Sequence, residues 1–348
     1  SFPTRRSSDL GLSARPGERI GDGFGLEAPE TVPLMSVQVE PTAPLTQSAL
    51  LAHLREMEEE DPLLSVRPEA DGVSVGVMGA VQVEVLQGIL AARFGDVVRM
   101  CPPHVLYKET IAAPVVGIGH YEPLRHYAEV WLKLEPGAPG SGVSFAADCP
   151  PNSLEENWQR LIRTHVFERA HPGVLTGSPL CDVRIRLIAG RAHLKHTEGG
   201  DFREATCRAI RNALMQAENV LLEPVVRFEL AMPNEALARV TGELLRIGAQ
   251  LDASETDGGE TTLTGRCTAA MFWDYPTRFA ASTRGHGRIA SRFDRYEPCK
   301  NQDDIVRQIG YDPLADTLNP PGSVFCSHGA GFYVAWDHVR EWAHCEVE

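Results

Sequence analysis

The chain has 348 residues, of which 43% are hydrophobic and 23% are charged, with a formal net charge of −14. This length supports several domains, and the composition is that of a soluble globular protein rather than a disordered one. The sequence has no apolar run long enough to span a membrane and no signal peptide, so we predict a cytoplasmic protein without a membrane partner.

The first part of the chain predicts one regular domain after an irregular start. Residues 1–10 resemble translated adapter sequence and are treated as probable non-native sequence. Residues 11–32 are rich in glycine, proline and glutamate, which indicates a linker or the end of a preceding domain. From Pro33 a strand, a helix, two strands, a helix ending at Gly95 and a closing strand follow. The order βαββαβ predicts a ferredoxin-like domain over residues 33–107.

The rest of the chain predicts a different domain, then a repeat of the first. Residues 108–222 alternate strand and helix patterns and indicate a separate α/β domain. Residues 223–298 again follow the order βαββαβ and predict a second ferredoxin-like domain. Residues 299–348 form a C-terminal extension, whose apolar stretch at 324–336 favours packing on neighbouring residues. The predicted fold class is therefore α+β, with mixed α/β character.

Two polar, glycine-containing stretches of residues 108–222 are predicted to be loops. The stretch 190–201 holds His193, Lys195 and His196, which are compatible with a plain surface loop, a metal site or a catalytic base. A metal held by the two histidines would need further ligands that the sequence does not indicate. The stretch 117–126 is compatible with an ordinary loop at the entry of a strand or with contacts to RNA.

Several kinds of site are not indicated. The eight cysteines are scattered without a Cys-x-x-Cys pair. In the extension, spacing alone makes a packed segment a better prediction than zinc binding by Cys326, His328, His344 and Cys345. No phosphate-binding Gly-x-x-x-x-Gly-Lys-[Ser/Thr] motif occurs, so the chain alone is not expected to hydrolyse GTP. We therefore predict no catalytic residue, no metal ligand and no cofactor within it.

Four motifs, in this order, resemble the translational GTPase family of elongation factor G and its relatives. They are Gly79–Glu84, Tyr107–Thr110, Leu221–Pro224 and Thr283–Tyr296. The resemblance implies that residues 33–107, 108–222 and 223–298 are domains III, IV and V, with a ribosomal-protein-S5-like fold for domain IV. It also implies that residues 11–32 end the β-barrel of domain II. The chain would then be a C-terminal fragment whose full-length parent binds GTP and Mg²⁺ in an upstream domain.

Within this family, three short segments resemble the tetracycline ribosomal-protection branch, which confers antibiotic resistance. They are Val81–Glu84, Gly140–Gly142 and Asp201–Arg203. Lys195 stands near the position of a proline that this branch carries, and a lysine cannot rigidify a turn as a proline does. The resemblance therefore implies ribosome binding more directly than drug displacement. Alternatives are a translocation-type factor without resistance activity or a stand-alone RNA-binding adaptor; a small-molecule enzyme is disfavoured because no acid/base pair is indicated.

The resemblance also implies which residues contact the ribosome. It implies that the loop at 190–201 forms the tip of domain IV and enters the decoding centre, and that residues 283–288 lie near the stalk base and the factor-binding rRNA loop. Cationic and hydroxyl side chains donate to phosphates, and glycine lets the backbone approach closely. The basic residues of domain V are alternatively a solvated face paired with Asp274 and Asp294. The predicted rRNA-contacting residues are His193, Lys195, His196, Thr197, Gly199, Gly200, His120, Tyr121, Arg125, Arg284, His286 and Arg288.

The predicted partner is therefore the ribosome. DNA is not predicted, because the negative net charge argues against a protein that binds nucleic acid by bulk charge. A local basic surface on an acidic chain remains compatible with contacts to rRNA.

Overall fold

The computed structural model describes residues 33–69 and 72–345. The predictions of a non-native start and of a β-barrel remnant fall on residues 1–32, outside the described residues. The chain divides into two compact units: one contains residues up to Leu106 together with Pro224–Asp294, the other Tyr107–Glu223 and the residues from Arg295 onward. Among the described residues, no helix is both long and apolar enough to cross a membrane.

The first ferredoxin-like arrangement lies in the first unit. Its elements are β1 (Met35–Pro41), α1 (Gln47–Glu60), β2 (Arg67–Pro68), β3 (Val73–Val77), α2 (Ala80–Phe94), β4 (Val98–Met100) and β5 (His104–Val105). The sheet order is β2-β3-β1-β4, and the neighbouring strands are antiparallel. Thr46 caps α1 by accepting a hydrogen bond from the Ala49 N–H at 3.3 Å, and Gly95 ends α2 at φ +71°. Strand β2 is only two residues long, and a 3-10 turn over 62–64, which begins at Pro62, precedes it.

The second unit is built on a mixed, largely antiparallel sheet covered by a long helix. Its elements, continuing into the first unit with the last strand, are β6 (Lys108–Ile111), β7 (Val115–Tyr121), β8 (Ala128–Pro136), β9 (Val143–Ala147), α3 (Glu156–Phe167), β10 (Val183–Ala192), α4 (Gly199–Gln216) and β11 (Asn219–Pro233). Strands β7, β8 and β10 are antiparallel, and β9 runs parallel to β10. Helix α4 buries an alanine-rich face formed by Ala205, Ala209 and Ala213.

The prediction of a loop over residues 117–126 is wrong for its first half, because β7 runs through Tyr121. Gly117 and Gly119 suggested a loop, yet they lie where α4 approaches the strand. A Cβ atom at Gly117 would lie 2.0 Å from the Ala209 carbonyl oxygen, and one at Gly119 would lie 1.8 Å from that of Ala205. The two glycines therefore permit close packing of helix on strand rather than chain reversal.

The second ferredoxin-like arrangement repeats the first. It combines the residues of β11 from Val225 onward with α5 (Leu237–Arg246), β12 (Gln250–Asp257), β13 (Glu260–Thr268), α6 (Ala269–Phe272), α7 (Tyr275–Ser282) and β14 (Arg288–Pro298). The order β12-β13-β11-β14 matches that of the first sheet. Asn234 begins a 3-10 turn before α5, and its side-chain oxygen accepts a hydrogen bond from the Thr261 hydroxyl at 2.8 Å.

The extension folds onto the sheet of the second unit. Its elements are α8 (Gln302–Ile309), β15 (Ser323–Ser327), β16 (Ala330–Val334) and α9 (Val339–Trp342). β15 pairs in parallel with β7, which gives the sheet order β16-β15-β7-β8-β10-β9. Phe325, Val334 and Val339 share a buried cluster with Ile118 and Trp131. The prediction that this apolar stretch packs against its neighbours is confirmed, as is the mixed α+β fold class.

Candidate functional site

A short loop between β10 and α4, residues 193–198, is held closed at its base. The His193 carbonyl accepts hydrogen bonds from the backbone N–H groups of His196 and Thr197 at 3.2 and 3.0 Å. The Thr197 hydroxyl donates to the Tyr127 carbonyl and accepts from the His193 N–H, both at 2.6 Å. The loop, called the tip loop below, is thus a defined turn tied to the start of β8. It is shorter than the predicted 190–201, because β10 continues to Ala192.

Asp201 fixes the other side of the tip loop, where α4 begins. Its carboxylate accepts a hydrogen bond from the Glu198 N–H at 2.8 Å, and the Glu198 side chain accepts one from the Asp201 N–H in return. The same carboxylate contacts His126 Nδ1 at 2.8 Å, and Asp201 is only 2% exposed. Gly199 and Gly200, predicted to lie in the loop, form the first turn of α4 and are exposed.

The apex of the tip loop presents a mixed surface to solvent. His193, Lys195 and His196 are exposed, and the two imidazole rings stack with their centres 4.6 Å apart. Leu194 between them is 100% exposed, although a leucine side chain gains free energy from burial. The sequence prediction omitted Leu194; the only available signal was one apolar residue inside an otherwise polar loop. The tip residues with Tyr127, Arg191 and His344 line a shallow cavity of about 680 Å³.

The companion stretch does not present all its predicted residues to solvent. His120 is 0% exposed, so its ring cannot contact RNA in this conformation, contrary to the prediction. Tyr121 is half-buried, with the Arg208 guanidinium 5.8 Å from its ring centre. Arg125 is exposed in a short turn at φ +66°. Of the three residues predicted in this stretch, only Arg125 keeps the exposure expected for a residue that contacts RNA.

His120 belongs to a buried polar network that the sequence did not reveal. Its Nδ1 lies 2.8 Å from Glu129, and its Nε2 lies 3.1 Å from Glu122. Burial would raise the pKa of Glu129, but hydrogen bonds from His120, from the His344 N–H and from the Trp131 indole outweigh it and lower the pKa to about 2. Alternation along β8 placed residue 129 in a strand, but no local pattern indicated its partners.

The basic turn of the second ferredoxin-like arrangement is exposed as predicted. Arg284 at φ +52° and Gly285 at φ +78° turn the chain between α7 and β14, and Arg284, His286 and Arg288 are all accessible to solvent. Arg288 Nη2 donates to Glu260 at 2.5 Å. Asp294, suggested as an acidic partner for this surface, lies 3.6 Å from Arg227 and 3.3 Å from Arg266.

One motif that carried the resemblance has a clear structural role. The Glu109 side chain, 1% exposed, accepts hydrogen bonds from the backbone N–H groups of Leu175, Thr176 and Ser178 at 2.9, 2.9 and 3.2 Å. A Cβ at Gly173 would lie 2.0 Å from its Oε2. The carboxylate thus satisfies backbone N–H groups that have no backbone carbonyl as acceptor, and this fixes the conformation of the loop at 173–178.

These features define a class of protein. Two ferredoxin-like arrangements of identical strand order flank, in sequence, an α/β domain that displays a small and firmly anchored loop. The surface of that loop carries cationic and hydrogen-bonding side chains but no acid/base pair poised on a substrate pocket. Such an arrangement suits a protein that positions a contact surface against a large partner.

Comparison with known proteins agrees with this class. Residues 103–218 match the family model of elongation factor G, domain IV, and residues 220–305 match that of the elongation factor G C-terminus. A crystal structure of a protein from Thermus thermophilus superposes with a TM-score of 0.67 at 23% identity, over 89% of this chain and 45% of that one. The chain thus spans under half the length of that protein, and the structural likeness at this identity concerns the fold.

Residues 103–218 and 220–305 are thus similar to domain IV and the C-terminal domain of elongation factor G, and these two matches support placing the chain with the translational GTPases.

Proposed function

We propose that this chain is a ribosome-binding region of an elongation factor G-type translational GTPase, and that its tip loop contacts rRNA in the decoding centre. The observation that carries the proposal is the construction of the tip loop. Its base is fixed by Thr197 and Asp201, while His193, Leu194 and Lys195 stand exposed at its apex. A loop already ordered before binding loses little conformational entropy on contact with a partner.

A second contact supports the same proposal. The exposed turn at Arg284–Arg288 presents guanidinium groups, which suit phosphate oxygens, and we propose that it contacts the factor-binding rRNA loop and the stalk base. This sequence has no phosphate-binding loop, so we propose that GTP and Mg²⁺ bind elsewhere in a longer parent protein. We propose the cytoplasm as the place where that protein acts.

Cosedimentation of the chain with purified ribosomes tests the proposal. We expect binding that weakens as salt rises, because phosphate contacts release counterions. Lys195→Glu should lower the affinity about tenfold and reduce the salt dependence, because it replaces a positive charge near phosphate with a negative one that phosphate repels. Lys300→Glu, an exposed lysine outside the proposed surfaces, is the matched control and should bind as the parent chain does. Failure to cosediment at low salt, or equal losses in both variants, would contradict the proposal.

The more specific role that we propose within the family is tetracycline ribosomal protection. It rests on the resemblance of Val81–Glu84, Gly140–Gly142 and Asp201–Arg203 to that branch. Some of these residues also have local roles: the N–H groups of Gly140 and Gly142 donate to the Asp182 carboxylate at 3.0 and 2.9 Å. Drug susceptibility of cells expressing the full-length gene, with and without Lys195→Pro, tests this role. Unchanged susceptibility in both strains would leave the translocation-type role.

A further inference from the structure

A cluster of three metal-ligating side chains lies where the extension meets β7. His120 is in β7, Glu122 follows it, and His344 follows α9. One ligand atom from each of the three lies within 4.8 Å of the others. We propose that these residues form a binding site for a divalent transition metal, Zn²⁺ in the first place, that fastens the extension to the domain IV sheet.

The donor set matches the metal. Two imidazoles and one carboxylate are a recurrent protein ligand set for zinc, and a water molecule completes the tetrahedron. Bond lengths of about 2.0–2.2 Å in a tetrahedron separate ligand atoms by about 3.3 Å. His120 Nε2 and Glu122 Oε2 are already 3.1 Å apart. Only the exposed His344 has to close in, from a position within 4.8 Å.

Hydrogen-bond accounting at His120 calls for a positive charge at Nε2, which either a second proton or a metal ion supplies. The ring lies between two carboxylates, with Glu129 at Nδ1 and Glu122 at Nε2. A neutral imidazole donates through only one of its nitrogens, and carboxylates only accept. When Nδ1–H donates to Glu129, the lone pair on Nε2 faces a second acceptor. A metal ion at Nε2 binds both that lone pair and the Glu122 carboxylate.

Each histidine is further supported by an oxygen on its other nitrogen. Glu129 holds Nδ1 of His120 at 2.8 Å, and the Tyr127 hydroxyl lies 3.0 Å from Nδ1 of His344. Metal-ligating histidines commonly contact a carboxylate or another oxygen through the nitrogen that does not bind the metal, which fixes the ring. In this site Nε2 of both rings is then the nitrogen for the metal. His120 is also stacked on Phe325 with the ring centres 4.0 Å apart.

The site differs from the zinc hypothesis that the sequence suggested. That hypothesis grouped Cys326 and His328 with His344 and Cys345, whereas the structure groups His344 with two residues more than 200 positions earlier. Glu129 holds the extension in place by accepting hydrogen bonds from the N–H groups of His344 and Cys345 at 2.8 and 2.7 Å. A bound metal would strengthen this attachment beside Tyr127, whose carbonyl also anchors the tip loop.

Titration of the metal-free chain with ZnCl₂, followed by calorimetry and by melting temperature, tests the proposal. We expect one Zn²⁺ per chain and a rise in melting temperature of roughly 5 °C when zinc is in about 100-fold excess over its dissociation constant. His344→Ala removes an exposed ligand and should weaken zinc binding at least about 100-fold. Tyr127→Phe removes only the supporting hydroxyl and should weaken it about tenfold. Cobalt substitution should give the visible absorption of a tetrahedral site, and Mg²⁺ should not bind because it prefers oxygen ligands.

Matched controls separate this site from adventitious binding. His338→Ala, an exposed histidine of the same segment, and Cys326→Ser should both retain the affinity of the parent chain. The proposal is overturned if no zinc binds, if His344→Ala binds it normally, or if Cys326→Ser or His193→Ala abolishes binding. None of these outcomes bears on ribosome cosedimentation, so the two proposals can fail independently.

Discussion

The two stretches that the sequence marked as RNA-contacting loops of domain IV differ sharply in the structure. Residues 117–126 contain two glycines and two histidines, and so do residues 190–201 apart from one further glycine. In the first stretch both glycines and His120 are inside, against α4 and the extension. In the second, His193 and His196 are on the surface. Residue type alone therefore does not distinguish a displayed loop from a strand that a helix covers.

The cause of the difference lies in what each glycine contacts. A Cβ at Gly119 would lie 1.8 Å from a backbone oxygen of α4, whereas a Cβ at Gly200 would meet no atom within 4 Å. The first glycine is required by packing, and the second is not. Substitutions at the two stretches should therefore change the free energy of unfolding by very different amounts.

The largest effect is expected at the packed strand. Gly119→Val should destabilise the chain by at least about 3 kcal/mol, because the helix backbone has to move to admit the side chain. Gly200→Ala is the matched change in the exposed first turn of α4 and should be neutral or stabilising by about 0.5 kcal/mol. Urea denaturation measures both values. A tolerated valine at 119 would show that α4 does not approach β7 as closely as described.

The second largest effect contrasts a buried histidine with the exposed histidines of the tip loop. Burial lowers the pKa of His171 from 6.5 to about 4, against a hydrogen bond to the Val166 carbonyl that acts in the opposite direction. In the unfolded chain the His171 imidazole therefore binds a proton below about pH 6.5, whereas in the folded chain it does so only below about pH 4. Stability associated with His171 is fully present above pH 6.5 and falls as the pH is lowered, by about 3 kcal/mol in all.

A neutral replacement isolates this contribution. The difference in unfolding free energy between the parent chain and His171→Gln should shrink by about 2 kcal/mol between pH 7 and pH 5. His193→Gln, a neutral replacement of an exposed histidine in the tip loop, is the matched control. Parallel pH profiles for the parent chain and His171→Gln would contradict the burial of this ring.

The sequence predicted most of the local structure but not the long-range contacts. Alternation and helix-end signals predicted the two βαββαβ arrangements, and Gly95 ends α2 as expected. The features that it missed depend on partners distant in the chain. Glu129 accepts hydrogen bonds from the N–H groups of His344 and Cys345, and β7 is an interior strand of its sheet because β15 pairs with it. No spacing rule links residues 129 and 344, so local patterns could not predict the burial of His120 beside them.

A smaller effect is expected at the base of the tip loop. Thr197→Val removes the hydroxyl that bonds to both the Tyr127 carbonyl and the His193 N–H, and should cost about 1–2 kcal/mol. Hydrogen exchange should become faster over residues 193–198 and stay unchanged in β7. Thr164→Val is the control, since its hydroxyl only donates to the Arg160 carbonyl within α3 and its loss should cost less than about 0.5 kcal/mol. Unchanged exchange in the tip loop would mean that another contact holds it.

The smallest effect on stability is expected at the apex of the tip loop, where the effect on binding should be the largest. Leu194 is 100% exposed and contributes no burial in the free chain, so Leu194→Ser should change the unfolding free energy by less than about 0.5 kcal/mol. If its side chain is buried against a partner, the same change should weaken ribosome cosedimentation several-fold, because about 1–2 kcal/mol of apolar burial is lost only in the complex. Leu318→Ser, at an 83% exposed leucine outside the tip loop, separates this effect from a general change in surface polarity. Equal cosedimentation of both variants with the parent chain would mean that the exposure of Leu194 has no role in binding, and the proposed contact would then rest on the polar side chains of the loop.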